Sequence, residues 1–145
     1  MGSARRVIVI LGAGGTLGTA LSRHLAAEPD TDLVLSDLSE DALRQAADDL
    51  AGSAGAVTPA EVVTVQADIS DFAAVENVVK QATDRFGRLD VLISNAGVLA
   101  PNGRIHNLTT ADWERSYRIN VLGPVNGIRA AVRSEEHTSE LQSPC

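Results

Sequence analysis

Seven consecutive residues, Gly12-Ala13-Gly14-Gly15-Thr16-Leu17-Gly18, have the composition and placement to hold an anion. They follow an apolar run and precede residues at helical spacing, so they form a strand-to-helix turn. A pyrophosphate needs three things at such a turn. The chain must reverse tightly, its backbone must approach the phosphates with no Cβ in the way, and a helix N-terminus must offer free N–H groups. Gly12, Gly14, Gly15 and Gly18 can meet all three, and the whole turn, Thr16 and Leu17 included, is the expected seat of the anion. The competing possibility is a merely structural βα turn, because glycine-rich turns are common. No Gly-Lys-Ser/Thr follows, which disfavours a nucleotide triphosphate loop.

Asp37 stands about twenty residues beyond the turn, just past a second apolar run. A carboxylate there can accept hydrogen bonds from the adenosine ribose hydroxyls and repels a 2′-phosphate. Leu38 brings no positive charge to such a phosphate. Together they favour NAD over NADP. Helix capping is the alternative role for Asp37, since Ser39-Glu40-Asp41 begins the next helix. His24 falls on a helix face, where packing or partial exposure is expected, and His106 lies in a polar loop. His106 has no second ligand nearby in sequence, so no metal site is expected there.

The elements that must position these residues follow from the hydrophobic pattern. Val7–Leu11 is a continuous β-branched run, as in a strand buried on both faces. Leu17, Ala20, Leu21, His24 and Leu25 recur at helical spacing. Leu33–Leu35 is a second strand, and Leu43, Ala46, Ala47 and Leu50 stripe the helix after it. Gly52 to Pro59 is loop-like. Val62–Val65 is the third strand. Ser70-Asp71 then starts a helix with Phe72, Val75, Val78, Val79, Ala82 and Phe86 on one face, which Gly87 ends. Leu89–Ile93 is the fourth strand, closed by Ser94-Asn95-Ala96-Gly97. Thr109-Thr110 begins a last helix that Pro124 should kink or interrupt. Strand and helix alternate, which predicts a parallel α/β sheet with right-handed crossovers.

Composition bounds the function classes. The chain has 145 residues and a net charge of −7, which argues against nucleic acid or an anionic membrane as a partner. Arg5-Arg6 is the only basic doublet at the start, and it reads as a solvated strand edge. The five-residue apolar stretch after it is too short for a signal peptide, and no run approaches a membrane span. Aromatic residues make up only 3% of the chain, so the core must be built from Val, Ile, Leu and Ala. One cysteine, Cys145, allows no intrachain disulfide, and a cytoplasmic setting is the expectation.

From about Val7 to Val132 the chain resembles the short-chain dehydrogenase/reductase family. The resemblance rests on five motifs in order: the glycine turn, Asp37, Ala67-Asp68-Ile69, Ser94-Asn95-Ala96-Gly97 and Asn120-Val121-Leu122-Gly123. It implies a Rossmann-like, doubly wound parallel sheet. It also implies that Asp68 and Ile69 flank the adenine; the alternative for Asp68 is a cap beside Ser70, which the family spacing outweighs. Asn95, Ala96 and Gly97 would line the nucleotide and steady the central strand. Asn120 would be the catalytic-set asparagine, kinking its helix and holding a water in a proton relay. The implied activity is hydride transfer between nicotinamide and an alcohol or carbonyl substrate, in a homodimer or homotetramer. A non-catalytic nucleotide-binding regulator is the alternative.

The match departs from the family in three places. The glycine turn fits Gly-x-x-Gly-x-x-Gly, because Thr16 stands where the commonest pattern has glycine. That spacing is typical of the extended branch of epimerases and dehydratases, whereas the Asn-Ala-Gly motif and the Trp113–Gly123 helix resemble the shorter dehydrogenase branch, which we favour. Ser94 replaces a more usual asparagine. Family chemistry also needs a Tyr-x-x-x-Lys pair and a serine, and a tyrosine is a poor base at neutral pH without a neighbouring cation. The only tyrosine is Tyr117 and the only lysine Lys80, so the pair is not in this chain. The resemblance implies a continuation past Val132 with a serine-bearing strand. Instead Arg133 to Cys145 resembles the translation of a sequencing adapter. The expectation is an incomplete domain over residues 1–132, with four strands in the order 3-2-1-4, and a non-native tail over 133–145. Such a fragment should show no turnover and weak or no NAD binding.

Overall fold

The computed structural model describes residues 5–52, 59–99 and 103–141, without the side chains of 137–141. Pro101-Asn102, most of the glycine- and alanine-rich segment before Pro59, and Cys145 lie outside the described residues. Four strands, β1 (Arg6–Leu11), β2 (Thr31–Asp37), β3 (Val62–Gln66) and β4 (Val91–Ser94), form one parallel sheet in the order β3-β2-β1-β4. Ile8 lies between Leu33 of β2 and Val91 of β4. Helices α1 (Thr16–Ala26), α2 (Glu40–Gly52) and α3 (Phe72–Phe86) are the crossovers. After β4 come a short 3₁₀ turn (Ile105–Asn107), α4 (Thr110–Tyr117), a π turn (Arg118–Leu122) and α5 (Gly123–Leu141).

The alternation of side chains along a strand divides the core in two. Val7, Val9, Leu11 and Val34 face Val75, Val78, Val79 and Ala82 of α3 and Ala130 of α5. Ile8, Ile10, Leu33 and Leu35 face the other way, onto Leu43 and Ala46 of α2, with Leu21 and Leu25 of α1 packed alongside. Each fully buried aliphatic side chain stabilises the fold by roughly 1.5–3 kcal/mol relative to exposure. The β-branched runs therefore form central strands because only a strand covered on both faces buries all of them.

Two local features differ from the sequence expectation, on α1 and at the start of β2. On α1, Leu17 and His24 point to solvent, with His24 Nε2 3.9 Å from Glu28. The stripe that packs is Gly18, Leu21, Ser22 and Leu25. β2 begins at Thr31 because Asp32 is buried with partners: its carboxylate accepts Arg5 Nε at 2.8 Å and Glu61 N–H at 2.8 Å. Arg5 is thus tied down rather than a solvated edge, and hydrogen bonding to Asp32 raises its pKa further. The last helix is interrupted just before Pro124, as expected: α4 ends at Tyr117, a π turn spans Arg118–Leu122, and α5 resumes at Gly123 with Pro124, which has no N–H to donate, in its first turn. α5 runs on without a break at Arg133.

The other helix ends follow their residues. Asp71 caps α3 by accepting Ala73 N–H, and Gly87 closes it at φ +75° with its N–H on Thr83 O. Thr109 and Asp112 form a reciprocal capping box on α4. Two hydrogen bonds from Thr109, from its backbone N–H and its hydroxyl, hold the Asp112 carboxyl below the usual carboxylate range.

Candidate functional site

The carboxyl ends of β1, β2, β3 and β4 open onto a groove of about 260 Å³. It lies where the chain order reverses across β1, the place where open α/β sheets bind ligands. One wall is the glycine turn, lining the groove through Gly12 and Gly15. A second comes from Asp37 and Leu38 after β2 and Ala67, Asp68 and Ile69 after β3. The third is Asn95, Ala96, Gly97 and Val98 after β4, with Arg115 of α4 and Ile119 of the π turn behind them.

The glycines serve different ends. Gly12 has φ +87°, and a Cβ there would stand 2.5 Å from Ala96 N. A Cβ on Gly18 would overlap the Gly12 carbonyl oxygen and stand 2.7 Å from Ala13 Cα. These two glycines let α1 pack against the turn and the turn against the loop after β4. Gly14 is confined by Ala42 and Asp37. Gly15 alone of these faces open space. It is the N-cap of α1 and supplies no side-chain cap, and the first N–H groups of a helix have no intrahelical acceptor. Thr16 and Leu17 stand exposed in that first turn. The donors open to an anion are therefore those at Gly15 and the start of α1. The Gly14 N–H is not among them, because it donates to Asp37 Oδ2 at 2.9 Å.

The motif after β4 buttresses the turn. Asn95 Nδ2 donates to Gly12 O at 2.9 Å, and the N–H groups of Asn95 and Ala96 both donate to Leu11 O. Asn120 does not line the groove. Its Oδ1 accepts Val98 N–H at 2.8 Å and its Nδ2 donates to Val98 O at 2.8 Å, clamping the loop to the π turn. Asp68 Oδ1 accepts both the backbone N–H and the hydroxyl of Ser70, at 2.8 and 2.7 Å, so the capping role considered for it is real. Its second oxygen has no donor among the described residues. Ile69 is buried, its carbonyl accepting Asn126 Nδ2 at 3.0 Å.

Arg115, Ile119, Val98 and Ser36 also line the groove and escaped the sequence reading. Ile119 carried one signal, its place beside Asn120 on a helical face. Tyr117 is exposed on α4, and Lys80 pairs with Asp84 on α3. Among the described residues no group of three or more His, Cys, Asp or Glu could hold a metal ion, and no helix is long and apolar enough to cross a membrane.

The family model described as short chain dehydrogenase matches residues 6–139. The chain belongs to the short-chain dehydrogenase family. Among curated members it is 35% identical to the levodione reductase of Leifsonia aquatica, over 88% of this chain and 46% of that one. It is also 35% identical to the CLA biosynthesis dehydrogenase/reductase of Lactiplantibacillus plantarum, over 88% of this chain and 42% of the relative. The crystal structure of levodione reductase superposes with a TM-score of 0.81, covering 88% of this chain and 48% of that one. This short-chain dehydrogenase chain thus spans about half the length of the curated relatives it matches. The sheet order and the parallel α/β architecture are those of the family. Its members bind NAD or NADP.

Proposed function

We propose that the chain is the dinucleotide-binding half of an NAD-dependent oxidoreductase whose whole form moves hydride between nicotinamide and an alcohol or carbonyl carbon. One observation carries this reading: Gly15, Asp37, Asp68, Ile69 and Asn95–Gly97, far apart in sequence, line a single groove at the carboxyl ends of the strands. The start of α1 would hold the pyrophosphate, Asp37 the adenosine ribose hydroxyls, and Asp68 with Ile69 the adenine. The Asp37 carboxylate and the neutral Leu38 support NAD over NADP. The dinucleotide supplies the hydride chemistry. Asn120 positions the loop of Val98, and the tyrosine and lysine that would move the proton are not among these residues. The names of the relatives, levodione reductase and the meso-2,3-butanediol dehydrogenase of Serratia marcescens, support a small ketone or alcohol substrate.

We further read residues 133–145 as a non-native tail on a domain of residues 1–132. The whole protein is a cytoplasmic homodimer or homotetramer in this reading. Apolar residues exposed on α4 and α5, among them Trp113, Tyr117, Val125 and Ile128, support contact with a second copy. Recovering the genomic reading frame past Val132 tests the proposal. A continuation with a serine-bearing strand and Tyr-x-x-x-Lys is expected, and a frame without them rules out the oxidoreductase. The second reading, a non-catalytic dinucleotide sensor, draws on Thr16, the departure in the glycine turn. It prevails if the whole protein binds NAD and reduces no carbonyl.

A further inference from the structure

We propose that Arg115 is a base-contacting residue, its guanidinium closing the adenosine end of the groove by lying on the face of the purine. The inference rests on the reading of the groove as a dinucleotide site. Arg115 is the only cation among the residues that line the groove. It stands one helical turn before Ile119, which packs against the core cluster that holds Ile69. The wall that carries Arg115 is therefore anchored and apolar. Arg115 itself is exposed and has no hydrogen-bonded or ion-paired partner among the described residues. Asp112, one turn earlier on the same helix, feels the Arg115 charge but forms its hydrogen bonds with the N–H and hydroxyl of Thr109, at 2.9 and 2.8 Å.

A pyrophosphate is an unsuitable ligand for this side chain, because the free donors for it lie on the opposite wall at the start of α1. A planar base suits it well. A guanidinium is weakly hydrated, stacks on aromatic faces and tolerates a half-apolar wall, which an ammonium does less readily. With the base between Arg115 and Leu38, the unengaged oxygen of Asp68 is free to read its amino edge.

The 145-residue chain and its Arg115→Gln and Arg115→Lys variants test this, titrated by NMR with adenosine, AMP and ribose 5-phosphate at millimolar concentrations. Unchanged amide spectra away from α4 establish that each variant is folded. Arg115→Gln should weaken adenosine and AMP by the same factor, about fivefold, and leave ribose 5-phosphate unaltered. Arg115→Lys should recover little of the loss. Unchanged adenosine binding overturns the proposal, and a loss confined to AMP and ribose 5-phosphate replaces it with a phosphate contact. If the wild-type chain bound neither adenosine nor AMP and the Gly12–Gly18 amides did not shift, the dinucleotide site itself would fail.

Discussion

Asp37 accepts the Gly14 N–H at 2.9 Å, which joins the end of β2 to the glycine turn after β1. Its other oxygen accepts Ser39 N–H at 3.1 Å and shapes the turn into α2, which the Ser39 hydroxyl caps by accepting Ala42 N–H at 3.2 Å. One carboxylate therefore serves as brace, turn former and candidate ribose acceptor. Asp37→Ala should cost about 1–3 kcal/mol of stability, as for hydrogen bonds to a charged group. It should also weaken ADP-ribose about tenfold and its 2′-phosphate far less, because only the former uses the carboxylate. Calorimetric titration of both ligands decides it, and equal losses would remove Asp37 from the ribose site.

The glycines should separate folding from binding. Gly12→Ala and Gly18→Ala force a Cβ into neighbouring backbone, with a cost of about 3 kcal/mol or more in urea unfolding. Gly15 has an ordinary φ of −77° and open space around it. Gly15→Ala should stay within about 1 kcal/mol of the native stability while reducing ADP-ribose affinity. A Gly15→Ala chain that binds normally would show that no phosphate approaches this turn.

Asn120 is read by its effect on Val98. Asn120→Ala should lose both backbone bonds, at about 1 kcal/mol each or less in this exposed setting. Asn120→Asp keeps an acceptor for Val98 N–H but presents no donor to its carbonyl. Hydrogen exchange at the Val98 amide should therefore quicken in the Ala variant and stay slow in the Asp variant. Equal exchange in all three chains would mean the clamp does not hold in solution.

Acid should act through Asp90. Arg88, bonded to it at 2.8 Å, holds the Asp90 carboxyl below the usual range, and Val7 N–H, also at 2.8 Å, adds to the effect. A carboxyl depressed in the folded state contributes stability that is fully present above its unfolded value of about 3.9 and is lost as pH falls through the folded value. Urea midpoints should thus fall as the pH drops below about 4. Asp90→Asn should lower the midpoint at neutral pH and flatten that acid limb, and an unchanged acid limb would exclude Asp90 as its source.

The central strands were readable because Val7–Leu11 and Leu33–Leu35 are apolar at every position, which only a doubly covered strand explains. Thr31 and Asp32 were not, since a buried aspartate becomes possible only when Arg5 and Glu61 arrive from elsewhere in the chain. The glycine turn was legible as a motif, but its division of labour was not. Spacing cannot show that Gly14 gives its N–H to Asp37 while Gly15 stays open. Arg115 was invisible for a similar reason. A lone arginine on a polar helix carries no pattern, and only the packing of Ile119 one turn later brings it to the groove.

The π turn at Arg118–Leu122 has a consequence for α5 as a whole. A wide turn holds an extra residue, and one residue of helix is about 100° of rotation. That rotation brings Gly123 against Ile69, Asn126 onto the Ile69 carbonyl and Gly127 beside Leu92 and Leu11. Deleting a single residue anywhere between 118 and 122 would give a straighter helix, yet swing those three small or amide residues off the sheet and bring bulkier side chains onto it. The tolerance of this segment to insertions and deletions is therefore set by angle rather than by length, and substitutions should be accepted there far more readily than a change in residue count.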